Sequence, residues 1–397
     1  MQPAFNSDQY FAQALEIALN QAQLALPISP PNPAVGCIIV SPTGKVIGQG
    51  HTQVTGAAHA EVMALRDVLA KGESAAGATA YVTLEPCSHF GRTPPCCNAL
   101  VDAKVTKVVI ALLDPNPLVA GKGVEILRAA GVQVEVLNAA HPQAIAAKEL
   151  MMGFFSRMVR KTPWVRVKIA ASLDGKTALN NGQSQWITSA AAREDGHQWR
   201  ARAGAILTGV GTVLADDPLL NVRVSANDNT STSRQPPLVI VDSQLRTPVN
   251  AKIFTINNIA TQAINTPSRA IFIYTNSSDK AKIAALEAKG ATVIHLPTGA
   301  ANEQVNLSAM LQDLAQREVN ELHVEAGATL NGALMAAGLV DEFLVYLAPK
   351  LLGPGRSMLE VPALNDLNQA LPLEFKSVTT VGEDIRLLLR VSGRDKF

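Results

Sequence analysis

Two short strings near the start of the chain carry side chains that can do chemistry together. They are His59-Ala60-Glu61, and Glu85-Pro86-Cys87 followed by Pro94-Pro95-Cys96. One imidazole and two thiols are zinc ligands, and three protein ligands leave the fourth tetrahedral position to water. The Glu61 carboxylate is then free to move protons as that water attacks an electrophilic carbon. Cys96 and Cys97 are neighbours. Neighbours on a helix point about 100° apart, so one of the two is expected to bind. Pro95 places Cys96 at a helix start, where the positive end of the helix dipole favours a thiolate. The expected ligands are His59, Cys87 and Cys96, with Glu61 catalytic. A closed structural site, with His51 or His89 as fourth ligand, is the alternative, but Glu61 would have no role in it.

These residues need a scaffold that brings three distant positions together. Phe11, Ala14, Leu15, Ala18, Leu19 and Ala22 follow helical spacing. Strands are expected over Ala34–Val40 and Lys45–Gly50, joined through the turn residues Pro42-Thr43-Gly44. Then come a helix over Ala60–Ala70, a strand over Thr79–Leu84, a helix over Pro95–Ala103 and a strand over Lys107–Leu112. A helix over Val124–Ala130 and a strand over Val132–Val136 complete the run. The order is that of an α/β sheet covered on both faces.

A helical connector, near Pro142–Met158, leads to a second alternating block that starts near Thr162-Pro163-Trp164. Its expected strands are Val165–Ala171, Ala205–Gly209, Leu238–Asp242, Ala270–Tyr274, Thr292–Leu296 and Glu321–Glu325. Three more, Glu342–Ala348, Leu373–Val378 and Ile385–Val391, lack intervening helices, so a mostly parallel sheet with antiparallel strands at its end is expected. Ser225–Gln235 reads as a polar insertion. The expected domains are 1–147 and 163–397, with 148–162 between them.

With 397 residues, 47% hydrophobic and 17% charged, the chain is globular and long enough for two or three cores. A net charge of +1 gives no field for nucleic acid, so a small-molecule substrate is the expected partner. Four cysteines are too few for a disulfide scaffold and read as thiols in a reducing compartment. Neither a signal peptide nor a membrane span is expected, which places the protein in the cytoplasm. Met- and Ala-rich surfaces point to a homo-oligomer.

The second block carries weaker chemical signals. Gly209-Val210-Gly211-Thr212 follows a strand but is not the dinucleotide fingerprint. Glu325-Ala326-Gly327-Ala328-Thr329-Leu330 also follows a strand and opens a helix, whose first N–H groups suit a phosphate. An ordinary strand-to-helix turn is the plainer reading.

The pattern His59-x-Glu61 followed by Pro86-Cys87 and a second cysteine is the signature of the zinc deaminases, here with eight residues between the cysteines instead of two. Pro31-Asn32-Pro33-Ala34-Val35-Gly36, Thr83-Leu84-Glu85-Pro86-Cys87-Ser88-His89 and Asp114-Pro115-Asn116-Pro117 resemble the deaminase half of the bifunctional riboflavin-biosynthesis deaminase/reductases. Lys168-Ile169-Ala170-Ala171-Ser172-Leu173-Asp174-Gly175-Lys176, Ser184-Gln185-Trp186, Val241-Asp242-Ser243 and Leu347-Ala348-Pro349-Lys350 resemble its reductase half.

The resemblance implies a cytidine-deaminase-like three-layer α/β/α domain followed by a dihydrofolate-reductase-like α/β domain. It implies zinc and NADPH as cofactors. The implied substrate is a diaminopyrimidinone with a ribosylamino 5-phosphate, first deaminated on the ring and then reduced from ribosyl to ribityl. Ala170, Trp186, Thr212, Asp216, Ser243 and the run Gly327-Ala328-Thr329-Leu330-Asn331-Gly332-Ala333 would line the NADPH site. Ser184, Arg200, Leu220, Arg223, Glu325, Asn32 and Lys168 would hold substrate. Lys168, Asp216 and Glu325 are the candidate proton donors, and His89 or Arg92 could meet the substrate phosphate. Ala326 departs from the glycine that many relatives carry. The competing readings are a nucleoside or tRNA deaminase with an unrelated C-terminal domain, and a zinc-stabilised binding protein.

Overall fold

The computed structural model describes residues 7–88, 94–116, 119–223, 234–255, 269–298 and 304–397, without the side chains of 7–10. His89, Arg92 and most of the expected insertion at 225–235 lie outside the described residues. The chain divides into two compact units, Met1–Arg160 and Lys161–Phe397.

In the first unit, helix α1 (Ser7–Ala25) is followed by strands β1 (Gly36–Val40) and β2 (Val46–His51) and helix α2 (Ala60–Ala70). Strand β3 (Thr79–Val82), helix α3 (Cys96–Asp102), strand β4 (Lys107–Ile110), helix α4 (Lys122–Ala129) and strand β5 (Gln133–Val136) follow. The sheet order is β2-β1-β3-β4-β5. Strand β1 is antiparallel to both neighbours, and β3, β4 and β5 run parallel. Small residues set how closely helices approach this sheet. A Cβ on Gly36 would fall on Ala18 O of α1, and one on Gly50 would fall on the Ala64 amide of α2. Helix α2 turns Ala60, Glu61, Ala64 and Val68 inward, an i, i+4, i+8 stripe that lays it along β2. Its N-terminus, carrying His59 and Glu61, is thereby set beside the sheet.

The residues expected to connect the domains are helical. Helices α5 (Pro142–Leu150) and α6 (Met152–Arg160) meet at Met151, and both belong to the first unit.

The second unit holds β6 (Trp164–Ser172), β7 (Lys176–Leu179), helix α7 (Ala190–Arg202), β8 (Ala205–Gly209), helix α8 (Val210–Asp216), β9 (Leu238–Val241), β10 (Ile271–Thr275) and β11 (Ala291–His295). Strands β12 (Glu321–Val324), β13 (Glu342–Ala348), β14 (Gly355–Ser357), β15 (Leu373–Val381) and β16 (Asp384–Val391) complete it. The main sheet has nine strands in the order β11-β10-β9-β8-β12-β6-β13-β16-β15. Strands from β11 through β13 are parallel, and β16 and β15 add antiparallel. A separate pair, β7 with β14, was not expected from the sequence. Alternation sorts β6 by face: Val165, Val167, Ile169 and Ala171 enter the apolar core, while Arg166, Lys168 and Ala170 share the opposite face. That face also carries Glu321 and His323 of β12, and it is polar although buried.

Candidate functional site

His59 is the N-cap of α2, in extended backbone, and Glu61 lies in the first turn with 3% exposure. Cys87 follows the end of β3, and Cys96 is the first residue of α3, after Pro95. The turn, the cap and the helix start bring His59 Nδ1 to 3.6 Å from Cys87 Sγ and 3.4 Å from Cys96 Sγ. All three ligand atoms lie within 4.8 Å of one another. Zinc bonded to sulfur at about 2.3 Å and to nitrogen at about 2.0 Å in a tetrahedron separates S from N by about 3.5 Å. The residues fit that ion. Cys97 turns the other way, its thiol donating to Pro86 O at 3.2 Å and to Gly123 O at 3.6 Å. His51 Nδ1 pairs with Gln21 Oε1 at 3.0 Å, and among the described residues only His59, Cys87 and Cys96 form a cluster whose spacing could hold a metal ion.

The electrostatics are those of anions gathered for a cation. A hydrogen bond from Cys96, and another with His59, bring the Cys87 thiol down to about 4 against the opposing effect of burial. Cys96, held as the donor to Cys87 and buried, is pushed up. The Cys96 amide also donates to Cys87 Sγ at 3.3 Å. Burial and the Cys87 charge raise Glu61 to about 7. A bound dication favours the ionised form of all of these groups. Two helix N-termini, those of α2 and α3, meet at the cluster and add positive potential to it.

Glu85, which sequence reasoning passed over, organises the ground beneath. Its carboxylate accepts four backbone N–H bonds: Asp114 at 3.2 Å, Gly121 at 2.9 Å, Gly123 at 2.9 Å and Val124 at 3.3 Å. It thereby ties the loop after β4 and the start of α4 to the turn that presents Cys87. Its place just before Pro86-Cys87 was the only signal available. Asn32 follows the cis Pro30–Pro31 bond, and its N–H donates to Ser29 O at 2.9 Å.

In the second unit the structure brings together Lys168, Arg200 and Glu325. Arg200 makes a two-pronged ion pair with Glu325, Nε to Oε1 and Nη2 to Oε2, the latter at 2.8 Å. Lys168 Nζ stands 3.8 Å from Glu325 Oε2. Burial would raise Glu325, but Arg200 and Lys168 hold it well below the carboxylate range. Burial lowers Lys168. Arg223 meets His197, a residue the sequence did not flag: its backbone N–H reaches Nδ1 at 3.2 Å and its Nε reaches Nε2 at 3.3 Å. Burial, then Arg200 and Arg223, lower His197 to about 4, so it stays neutral. Leu220 is buried, and Arg269 donates to its carbonyl at 2.6 Å. Ser184 is half-buried in the loop before α7, and Asp216 closes α8 with an exposed side chain. Trp186 is 63% exposed, with Arg193 over its ring at 4.3 Å. Lys350 Nζ donates to Ile187 O at 2.8 Å and steadies that loop.

Ala170 shares the Lys168 face of β6. Thr212 is half-buried in the first turn of α8, and Ser243 follows β9, its Oγ accepting the Val305 N–H at 3.3 Å. Gly327 is the N-cap of the helix Ala328–Ala336, and no side chain caps it. A Cβ added at Gly211 or Gly327 would meet nothing within 4 Å, whereas one at Gly209 would touch Leu330 at 3.4 Å. Asn331 is 2% exposed, and its Oδ1 lacks a hydrogen-bond partner. Open glycines, a helix start without a side-chain cap and an unpaired Asn331 Oδ1, near the carboxyl ends of parallel strands, fit a dinucleotide. Ala326 has no positive φ, so its methyl group is tolerated.

Residues 7–112 match the cytidine and deoxycytidylate deaminase zinc-binding region, and residues 163–387 match the RibD C-terminal domain. With the His/Cys/Cys cluster these matches define the class, a zinc-dependent deaminase joined to a reductase. The riboflavin biosynthesis protein RibD of Escherichia coli strain K12 is 42% identical over an alignment of 392 positions that covers 96% of this chain and 98% of that protein. The RibD of Haemophilus influenzae is 38% identical, over 96% of this chain and 97% of its own. Acinetobacter baumannii RibD, 40% identical in sequence, superposes with a TM-score of 0.84, covering 97% of this chain and 99% of its own. A Thermotoga maritima structure described as a diaminohydroxyphosphoribosylaminopyrimidine deaminase and 5-amino-6-(5-phosphoribosylamino)uracil reductase is 27% identical, with a TM-score of 0.80, and it covers 97% of this chain and 100% of its own. The chain belongs to the RibD family of bifunctional riboflavin-biosynthesis enzymes. An unrelated C-terminal domain is thereby ruled out.

Proposed function

We propose that residues 1–147 deaminate a diaminopyrimidinone bearing a ribosylamino 5-phosphate, that residues 163–397 reduce its ribosyl group to ribityl with NADPH, and that 148–162 connect the two. The observation that carries the first half is the three-ligand set beside Glu61, a buried carboxylate that is not itself a ligand. His59, Cys87 and Cys96 hold zinc, which when bound makes water nucleophilic at neutral pH. Glu61 takes the proton of the attacking water and returns one to the departing amine. Asn32 contacts the ring or sugar.

In the second half, NADPH supplies a hydride when bound. The run 327–333 cradles its phosphates, with Ala170, Trp186, Thr212, Asp216 and Ser243 around the rest. Glu325 is held as a carboxylate, which unfits it as an acid, and Asp216 has an exposed side chain at the end of α8. Lys168, lowered by burial and set beside Glu325, is the proton donor this arrangement favours. Glu325 fixes Arg200, neutral His197 backs Arg223, and the two guanidinium groups, with Ser184 and Leu220, receive the substrate and its phosphate.

The same reading takes a small molecule and no nucleic acid as the partner. It makes the protein a homo-oligomer, supported by the edge strand β15, where Leu373, Phe375 and Val378 are exposed. A cytoplasmic location is supported by four free cysteines. Among the described residues no helix is long and apolar enough to cross a membrane. The test is a coupled assay with purified protein, the diaminopyrimidine and NADPH. Ammonia release and NADPH oxidation should both occur, and a zinc chelator should stop both. With pre-deaminated substrate, NADPH oxidation should survive the chelator. Ammonia release unaffected by complete zinc removal would overturn the reading.

A further inference from the structure

The segment between β13 and β15 is largely exposed, yet at one point it is held against the start of the helix Ala328–Ala336. There Glu360 N donates to Ala328 O at 3.1 Å. Its carbonyl packs so closely on Gly332 that a Cβ at that position would fall on it. These two backbone contacts fix Glu360 whatever its side chain. Its carboxylate then accepts the Thr329 hydroxyl at 2.7 Å. Among the described residues no lysine, arginine or histidine is paired with it. An acidic group near a helix N-terminus is favourable when nothing else is there. Here, however, it occupies a hydroxyl donor in the first turn that the cofactor reading assigns to phosphate, and it places a like charge beside an incoming pyrophosphate.

We propose that Glu360 is an internal competitor for the cofactor's phosphates, holding the Thr329 hydroxyl until they displace it. The inference rests on the NADPH reading above. It explains why the arm is anchored by backbone: the contact can open at the carboxylate without releasing the segment. It also gives a direction opposite to that of an ordinary stabilising contact, because removing Glu360's charge should tighten binding.

The test is calorimetric titration of the full-length protein with NADP+, at low and high salt. Glu360→Gln should lower the Kd by roughly fivefold at low salt, the size of one screened unit-charge interaction, and the gain should shrink in molar salt. Glu360→Ala keeps both backbone contacts and should behave alike, so the proposal stays testable if one variant misfolds. Variants that bind NADP+ as well as or worse than the wild type would overturn the role of Glu360 alone. A folded wild type that binds no NADP+ would overturn the cofactor reading, and this inference with it.

Discussion

Cys96 and Cys97 are identical in chemistry and adjacent in sequence, yet they have opposite fates. Cys96 opens α3 and faces His59, and Cys97, a third of a turn on, is buried against Pro86 and Gly123 carbonyls, with its thiol raised to about 12 by burial. Cys97→Ala should therefore keep one zinc per chain by elemental analysis, at a stability cost of about 1 kcal/mol for the small void. Cys96→Ala should lose the metal and the deaminase activity. Retention of zinc in folded Cys96→Ala would reverse the assignment. Glu61→Gln makes the complementary cut. It should keep zinc and lower ammonia release by about 10²- to 10⁴-fold, the range for a general acid–base group, while reduction of pre-deaminated substrate is unchanged. Loss of both activities in a folded variant would contradict the division of labour. At this scale the cluster of His59, Cys87 and Cys96 was legible because metal chemistry restricts both residue type and spacing. Glu85 and His197 were not, because each acts on distant backbone or side chains that only the fold brings near.

The elements explain why the site is placed where it is. Helix α2 can lie flush on β2 because Gly48 and Gly50 have no side chains, and that contact sets the height of His59 and Glu61 above the sheet. Gly50→Ala would place a Cβ on the Ala64 amide, the Met63 Cβ and the Ala60 carbonyl, all parts of α2. The helix must shift, at a cost of about 1–3 kcal/mol. Deaminase activity should fall far more than NADPH oxidation, as measured on the two substrates separately, and equal losses would point to general misfolding. Much of the element order was readable, since strands such as Leu238–Val241 are continuous apolar runs and β6 alternates by face. The β7–β14 pair was not, because strands of four and three residues carry too little periodicity, and their partnership spans an intervening sheet's worth of chain. The start of α4 shifted by two residues for a similar reason: it lies at Lys122 and not at Val124, and Glu85, far upstream, accepts N–H groups of its first turn.

At the scale of the whole molecule, the two units should respond separately to conditions, and acid is the sharpest discriminator. Glu321 of β12 is buried between Arg166 Nη1 at 2.7 Å and Arg202 Nη2 at 2.8 Å. Burial alone would raise its pKa, but Arg202 and Arg166 more than reverse that and hold it at about 2. A carboxyl depressed from 4.5 to about 2 contributes stability that is complete above its unfolded pKa and is lost as pH falls from there towards 2. The contribution is on the order of 3 kcal/mol. All three tryptophans, Trp164, Trp186 and Trp199, lie in the second unit, so their fluorescence reports the unfolding of that unit alone. Glu321→Gln should lower the urea midpoint clearly at pH 7, because it leaves the buried Arg166 and the half-buried Arg202 guanidinium groups short of a partner. The difference from wild type should narrow between pH 4.5 and pH 2, where the wild-type carboxylate itself takes up a proton. A midpoint difference that stays constant over that range would show that Glu321 acts through packing and not through its charge.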